Sequence, residues 1–186
     1  MRIIGGFLRG KKIDFLKNTT TRPLRDFIKE NIFNIINHSN SINIKLENAN
    51  VLDLYSGVGS FGIECISRGA RTAYFVENDN KASLILKKNL NNLKIEEQAE
   101  VFKEKTTFFF NRTINKNKFD IIFFDPPFAQ NFFIDELMII KNSLIYKKKH
   151  LVVVHREEKS EDDVQGIMNI LLTRSYGRSR LIFGVF

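Results

Sequence analysis

From Asn50 onward, hydrophobic positions follow two alternating patterns. "NVLDLYS" (50–56), "TAYFVE" (72–77), "FDIIFFD" (119–125) and "HLVVVHR" (150–156) are short, nearly continuous apolar runs, as expected of strands buried on both faces. Between them "FGIECISRGA" (61–70), "KASLILKKNLNNL" (81–93) and "FIDELMIIKNSLI" (133–145) space their apolar residues as helices do. "EVFKEKT" (100–106) reads as a weaker strand, "VQGIMNILLTRS" (164–175) as a helix, and "GRSRLIFGVF" (177–186) as a closing strand on an antiparallel edge. Strands alternating with helices predict an α/β fold with a mostly parallel sheet covered on both faces.

The first 49 residues behave differently. "RIIGGFLRGKKIDF" (2–15) sets apolar pairs around glycines, the mark of a short hairpin or extended arm. "TTTRPLRDFIKENIFNII" (19–36) offers threonine caps, Pro23 near a helix start, and Ile28, Ile32, Ile35 and Ile36 along one face. A polar connector follows. The chain therefore reads as a single domain, 1–186, with an N-terminal extension (1–45) on a catalytic core (46–186).

Composition narrows the class. The lone cysteine, Cys65, excludes an internal disulfide and suits a reducing compartment. No apolar run reaches the ~20 residues a membrane span needs, and the N-terminus lacks a signal-peptide layout. A soluble cytoplasmic protein with no membrane partner is expected. The net charge of +8 favours a polyanionic partner. Part of the lysine excess accompanies a chain rich in Asn, Ile and Phe, and "YKKKH" (146–150) reads as a solvated turn. The arginines carry more information: Arg2, Arg9, Arg22 and Arg25 gather at one end, Arg174, Arg178 and Arg180 at the other. His38, His150 and His155 are scattered without metal-ligand spacing, so no metal is expected. His155, near a strand end, has two readings: a residue bordering the site and, the favoured one, a partly buried polar residue.

Ligands of such sheets bind beyond the carboxyl ends of the strands, and three strand ends here carry unusual residues. In "VLDLYSGVGSFG", Gly57, Gly59 and Gly62 form G-x-G-x-x-G between a strand and a helix. Asp53 lies four residues ahead of Gly57. A carboxylate there would repel a dinucleotide pyrophosphate but attract a ligand with a cationic amino group, which favours S-adenosylmethionine over NAD. Glu77 ends the second strand, where an acid can accept hydrogen bonds from ribose hydroxyls. "FFDPPF" ends the third. An exocyclic amine on a nucleobase, adenine or guanine, is a poor nucleophile because its lone pair is delocalised. Acceptors pre-set at its hydrogens stabilise the charge that develops on methylation. Asp125 and the Pro126 carbonyl are those acceptors; Pro126 and Pro127 stiffen the turn, and Phe128 offers a face for a flipped base.

"VLDLYSGVGSFGIECISRGA", "FVEND", "FFDPPF", "RIIGGFLRGKK", "TRPLRDFIKENIFNII" and the closing "SYGRSRLIFG" together resemble the bacterial 16S rRNA (guanine-N2) methyltransferase family, RsmD type. The likeness runs from residue 2 almost to the end. It implies a Rossmann-like class I methyltransferase: a seven-stranded, mostly parallel sheet with an antiparallel edge, plus an N-terminal hairpin and helix extension. It implies methyl transfer from S-adenosyl-L-methionine to N2 of one guanine (the guanine(966)-N2 type), with 16S rRNA in the small ribosomal subunit or its assembly intermediate as partner and a monomeric enzyme. By position it assigns Asp53, Tyr55, Ser56, Gly57, Gly59, Glu77, Asn78, Lys105 and Thr106 to the cofactor, and Asp125, Pro126, Pro127 and Phe128 to the target. Arg2, Arg9, Lys11, Arg22, Arg25 and Lys29 would meet RNA phosphates, contacts that position without specifying sequence. The pattern departs at Lys105, where relatives carry an acid or amide for the adenine amine, leaving Glu104 or main-chain groups to accept that bond. It departs again at Phe27, where a basic residue is usual. Two other readings stay open at this point: an adenine-N6 nucleic-acid methyltransferase, and an inactive RNA-binding assembly factor.

Overall fold

A computed structural model describes residues 1–16, 24–113, 118–128, 132–160 and 163–186, with backbone only at 111–113. Seven strands form one sheet in the order β3-β2-β1-β4-β5-β7-β6. β1 (Asn50–Leu54) lies between β2 (Thr72–Val76) and β4 (Phe119–Phe124), parallel to both. β3 (Ala99–Phe102) and β5 (Tyr146–Glu157) extend the parallel array, and β7 (Ser179–Val185) runs antiparallel between β5 and β6 (Asn169–Tyr176). The chain leaves β1 toward β2 on one side and β4 joins it on the other. Their carboxyl ends therefore frame the topological switch point.

Alternation along each strand divides the core. Val51, Ala73, Phe75, Ile121, Phe123, Val153 and Phe183 face α1 (Asp26–His38), α2 (Ser60–Ser67) and α3 (Asn80–Leu93). Leu52, Leu54, Val76, Ile122, Phe124, Val152 and Val154 face α4 (Thr106–Thr113) and α5 (Phe133–Asn142). Both faces are dry, which explains why these strands read as continuous apolar runs. A 3-10 turn, Glu96–Gln98, leads into β3.

The N-terminal arm is a hairpin-like loop closed by an Arg2–Lys12 bridge. Ile3, Leu8 and Ile13 are buried beneath it, and Ser67 at the end of α2 pins it through bonds with Phe7, Leu8 and Gly5. The extension is thus packed on the core.

Three expectations need correction. Residues 164–175 are not a helix: a turn covers 165–167, and β6 then pairs with β7 through the Tyr176–Ser179 hairpin. Val164, Ile167, Met168 and Leu171 happen to fall at helical intervals, and a register shift between Ile170 and Leu172 breaks the strand alternation that would have exposed the error. Residues 147–149 are strand, not turn; Lys147 pairs with Asp120 at the start of β5. The weak strand ends at Phe102, and α4 begins at Thr106 in a segment with no helix expectation.

Candidate active site

Asp53 is the fourth residue of β1, in register with Phe75 of β2 and Phe123 of β4, and is buried among them. After Leu54, Tyr55 takes a left-handed backbone (φ 60°) and turns the chain into Gly57 and Gly59 (φ 56° and 87°) before α2 begins. A Cβ on Gly59 would lie 2.4 Å from Leu86 Cδ1, whereas one on Gly57 would meet nothing within 4 Å. Gly59 therefore serves packing, while Gly57 borders open space. Gly62, the third glycine, lets α2 approach Phe75, and its N–H donates to Asp53 Oδ2 at 2.9 Å.

Burial pushes the Asp53 carboxyl well above its usual range. The Gly62 hydrogen bond opposes this, and the negative charges of Asp125 and Glu77 add to it. Such a carboxylate gains most from a cation placed beside it. The cavity it borders, about 60 Å³, is lined by Tyr55, Ser56, Gly57, Phe61 and Asp125, and by Met1, Phe15, Leu16 and Leu24 of the N-terminal extension. The extension thus roofs the strand-end cleft. Glu77, just past β2, accepts from Gly57 N–H and Asp79 N–H, both at 2.7 Å, and burial raises its carboxyl too.

A second cavity of about 450 Å³, within the range of small-molecule sites, opens on the other side of Tyr55. Asn78, Glu104, Lys105 and Thr106 line it, together with Glu136 of α5. Glu136 is buried, accepting from Tyr55 Oη at 2.6 Å and from Thr106 Oγ1 at 2.6 Å. Of the nine residues assigned to the cofactor by resemblance, seven line one cavity or the other. Gly59 packs against Leu86 beneath the glycine loop, and the half-buried Glu77 accepts from Gly57 N–H beside it. An ammonium beside Asp53 and a flat, polar-edged group beyond Tyr55 fit the shape and chemistry of S-adenosylmethionine.

At the end of β4, Pro126 is buried, Pro127 is exposed and Phe128 is half-buried. Two consecutive residues of β5 hold this turn, and neither was expected to. His155 Nδ1 lies 2.9 Å from Asp125 Oδ1, its Nε2 lies 2.9 Å from Ser179 Oγ, and its ring meets Phe128 edge-on at 5.4 Å. Arg156, on the opposite face of the strand, donates to the carbonyls of Pro127 and Phe128 and stacks over Phe133. The sequence signal was the polar pair "HR" ending an apolar strand that is adjacent to the D-P-P-F strand.

Among the residues assigned to RNA, Arg2, Arg9, Lys11 and Arg25 are exposed. Arg22 lies outside the described residues. Lys29 is a correction: it is fully buried, 3.3 Å from Glu64, and donates to the Arg2 carbonyl. Desolvation pulls its ammonium down, and Glu64 partly offsets this. Glu64 also accepts from Ile4 N–H, Gly5 N–H and Arg68. Lys29 fastens the arm instead of meeting phosphate.

A family model described as "Conserved hypothetical protein 95" matches residues 1–185. The ribosomal RNA small subunit methyltransferase D of Haemophilus influenzae is 34% identical over 159 residues, covering 85% of this chain and 79% of that protein. The protein of the same name from Buchnera aphidicola subsp. Acyrthosiphon pisum is 33% identical over 157 residues, 84% of this chain and 78% of its own length. The chain belongs to the RsmD-type methyltransferase family. A solved structure titled "Putative methyltransferase yhhF from Escherichia coli" superposes with a TM-score of 0.83 at 26% identity, covering 100% of this chain and 97% of that one. The family fold, a seven-stranded mixed sheet with an antiparallel edge, is the one described above. Among the described residues, no helix of this family member is long and apolar enough to cross a membrane, and no cluster of metal-ligating side chains is present.

Proposed function

We propose that this protein transfers a methyl group from S-adenosylmethionine to the exocyclic N2 amine of a guanine in small-subunit ribosomal RNA. The observation that carries the reading is the pairing of Asp53 and Asp125 at adjacent strand ends, both bordering one cavity at the switch point, with the Pro126–Phe128 turn directly after Asp125. Family membership supports the substrate class: the Haemophilus and Buchnera relatives are called ribosomal RNA small subunit methyltransferases.

Bound in this cleft, S-adenosylmethionine supplies an electrophilic methyl group on a sulfonium. The chain supplies everything else. Asp53 holds the ammonium end, with Ser56 and Gly57 beside it. Glu77 takes the ribose side, and Asn78, Lys105 and Thr106 border the adenine. Asp125 and the Pro126 carbonyl accept from the target amine as its nitrogen turns pyramidal, and the proton released is taken up at Asp125. Phe128 stacks on the base and fixes the line of attack, a positioning effect that can supply several kcal/mol of the barrier reduction. Arg2, Arg9, Lys11 and Arg25 meet phosphates along the exposed side of the extension that roofs the cavity.

Labelled S-adenosylmethionine incubated with unmodified small subunits, followed by nucleoside digestion, tests this reading. N2-methylguanosine at one site is the expected product. N6-methyladenosine would assign the adenine chemistry instead. No transfer to subunits, naked rRNA or DNA, with RNA binding intact, would replace the enzyme by an assembly factor.

A further inference from the structure

We infer that His155 is a positioning residue for methyl transfer: it holds Asp125 in the rotamer that faces the target amine, and is itself held by Ser179. The inference rests on the methyltransferase reading above and adds to it a residue outside the D-P-P-F motif.

The geometry is specific. A carboxylate only accepts, so the 2.9 Å contact to Asp125 Oδ1 requires a proton on His155 Nδ1. In the neutral ring Nε2 is then an acceptor, and the Ser179 hydroxyl, 2.9 Å away, donates to it. The carboxylate selects the tautomer, the hydroxyl adapts to it, and together the two bonds fix the plane of the ring. The residue is 8% exposed and its ring meets Phe128 edge-on, so one side chain steadies both the acid and the stacking surface. With Oδ1 engaged, Oδ2 is the oxygen left to accept from the amine. Asp125 needs this help. It lies one residue beyond β4, where ladder pairing has ended, and its own N–H reaches the Leu54 carbonyl only at 3.5 Å.

The line continues into the fold. Ser179 opens β7, directly opposite Glu157 of β5, at the base of the Tyr176–Ser179 hairpin. Arg178 on that hairpin bonds Glu157, and Tyr176 meets Phe27 of α1 at 5.6 Å. The antiparallel edge of the sheet is thereby tied to the catalytic acid through one imidazole.

Two measurements test this. In the first, the His155 ring of ¹⁵N-labelled protein without substrate is observed by NMR above neutral pH. The Nδ1–H tautomer, with resonances displaced by Asp125→Ala, is expected. An Nε2–H tautomer, or a ring insensitive to Asp125→Ala, overturns the inference, and this holds whatever the RNA substrate proves to be. In the second, kcat and KM are compared among variants. His155→Ala is expected to lower kcat by roughly 10- to 100-fold, the scale of an ångström-level misplacement, with KM for cofactor and RNA little changed. His155→Asn, whose amide N–H can occupy the Nδ1 position, is expected to recover most of that loss. Ser179→Ala should cost about two- to tenfold in kcat, the worth of one neutral hydrogen bond, and nothing further in the His155→Asn background. Unchanged kcat in His155→Ala, an Asn variant as slow as a folded Ala variant, or a Ser179→Ala loss that persists beside Asn would each overturn it. Loss of wild-type transfer with the NMR result intact would instead fault the substrate assignment.

Discussion

Asp53 and Asp125 close neighbouring strands of the same sheet, yet their surroundings differ in nearly every respect. Asp53 is inside β1, buried where it borders the cleft, and its partner is a main-chain N–H of α2. Asp125 lies one residue outside β4, partly exposed, and its partner is a side chain from β5. The difference matches the work each is proposed to do. A seat for an ammonium is strengthened by exclusion of water, at a cost in the empty protein. An acceptor for a base that enters from a large RNA must stay reachable, so precision has to come from hydrogen bonds and stiff turns instead of burial.

Separating these roles by mutation gives the largest expected effect. Asp125→Asn should lower kcat by about 10²- to 10³-fold, the scale of one pre-set polar contact to the transition state, while calorimetry finds cofactor affinity close to wild type. A parallel loss of cofactor affinity would mean the two acids share one role. The buried pair beneath the arm comes next. Lys29→Met leaves Glu64 with less compensation and should cost about 3 kcal/mol or more of unfolding free energy. RNA affinity of the folded protein should be unchanged, whereas a phosphate-contact role predicts the opposite pattern. Gly62→Ala would place a Cβ 2.3 Å from Phe75 Cε1, and overpacking of this kind costs about 1–3 kcal/mol; a lowered Tm is expected. The smallest effect belongs to the exposed arm. Arg9→Ala should reduce the salt dependence of RNA binding by about one unit of log–log slope and leave cofactor binding untouched.

Legibility in the sequence followed the same division. Continuous apolar strands, the glycine loop and D-P-P-F carry local signals, so the parallel sheet and the two acids could be placed from the residues alone. What was missed depends on partners distant in sequence. Lys29 looks like a surface cation until Glu64, 35 positions on, is seen beneath it. His155 looks incidental until the β4–β5 pairing brings it to Asp125. Glu136 reads as the polar side of a helix, yet Tyr55 and Thr106 draw it into the cleft. β6 was misread because a register shift disguised its period.

The most direct test of the account is S-adenosylmethionine binding to wild type and Asp53→Asn, measured by calorimetry across pH. The Asp53 carboxyl of the free protein is raised, and below that raised value it must release a proton to receive the ammonium. Wild-type affinity should therefore fall as pH drops through that raised value, by up to about tenfold per unit, with proton release on binding. Glu77, also raised, contributes a further decline common to both proteins. Asp53→Asn should bind far more weakly, with a shallower pH dependence, and at pH above the raised Asp53 value its empty form should be more stable than wild type because no buried charge remains. That stability difference should shrink as wild-type Asp53 protonates. Equal affinity and equal pH dependence in the two proteins would contradict the account.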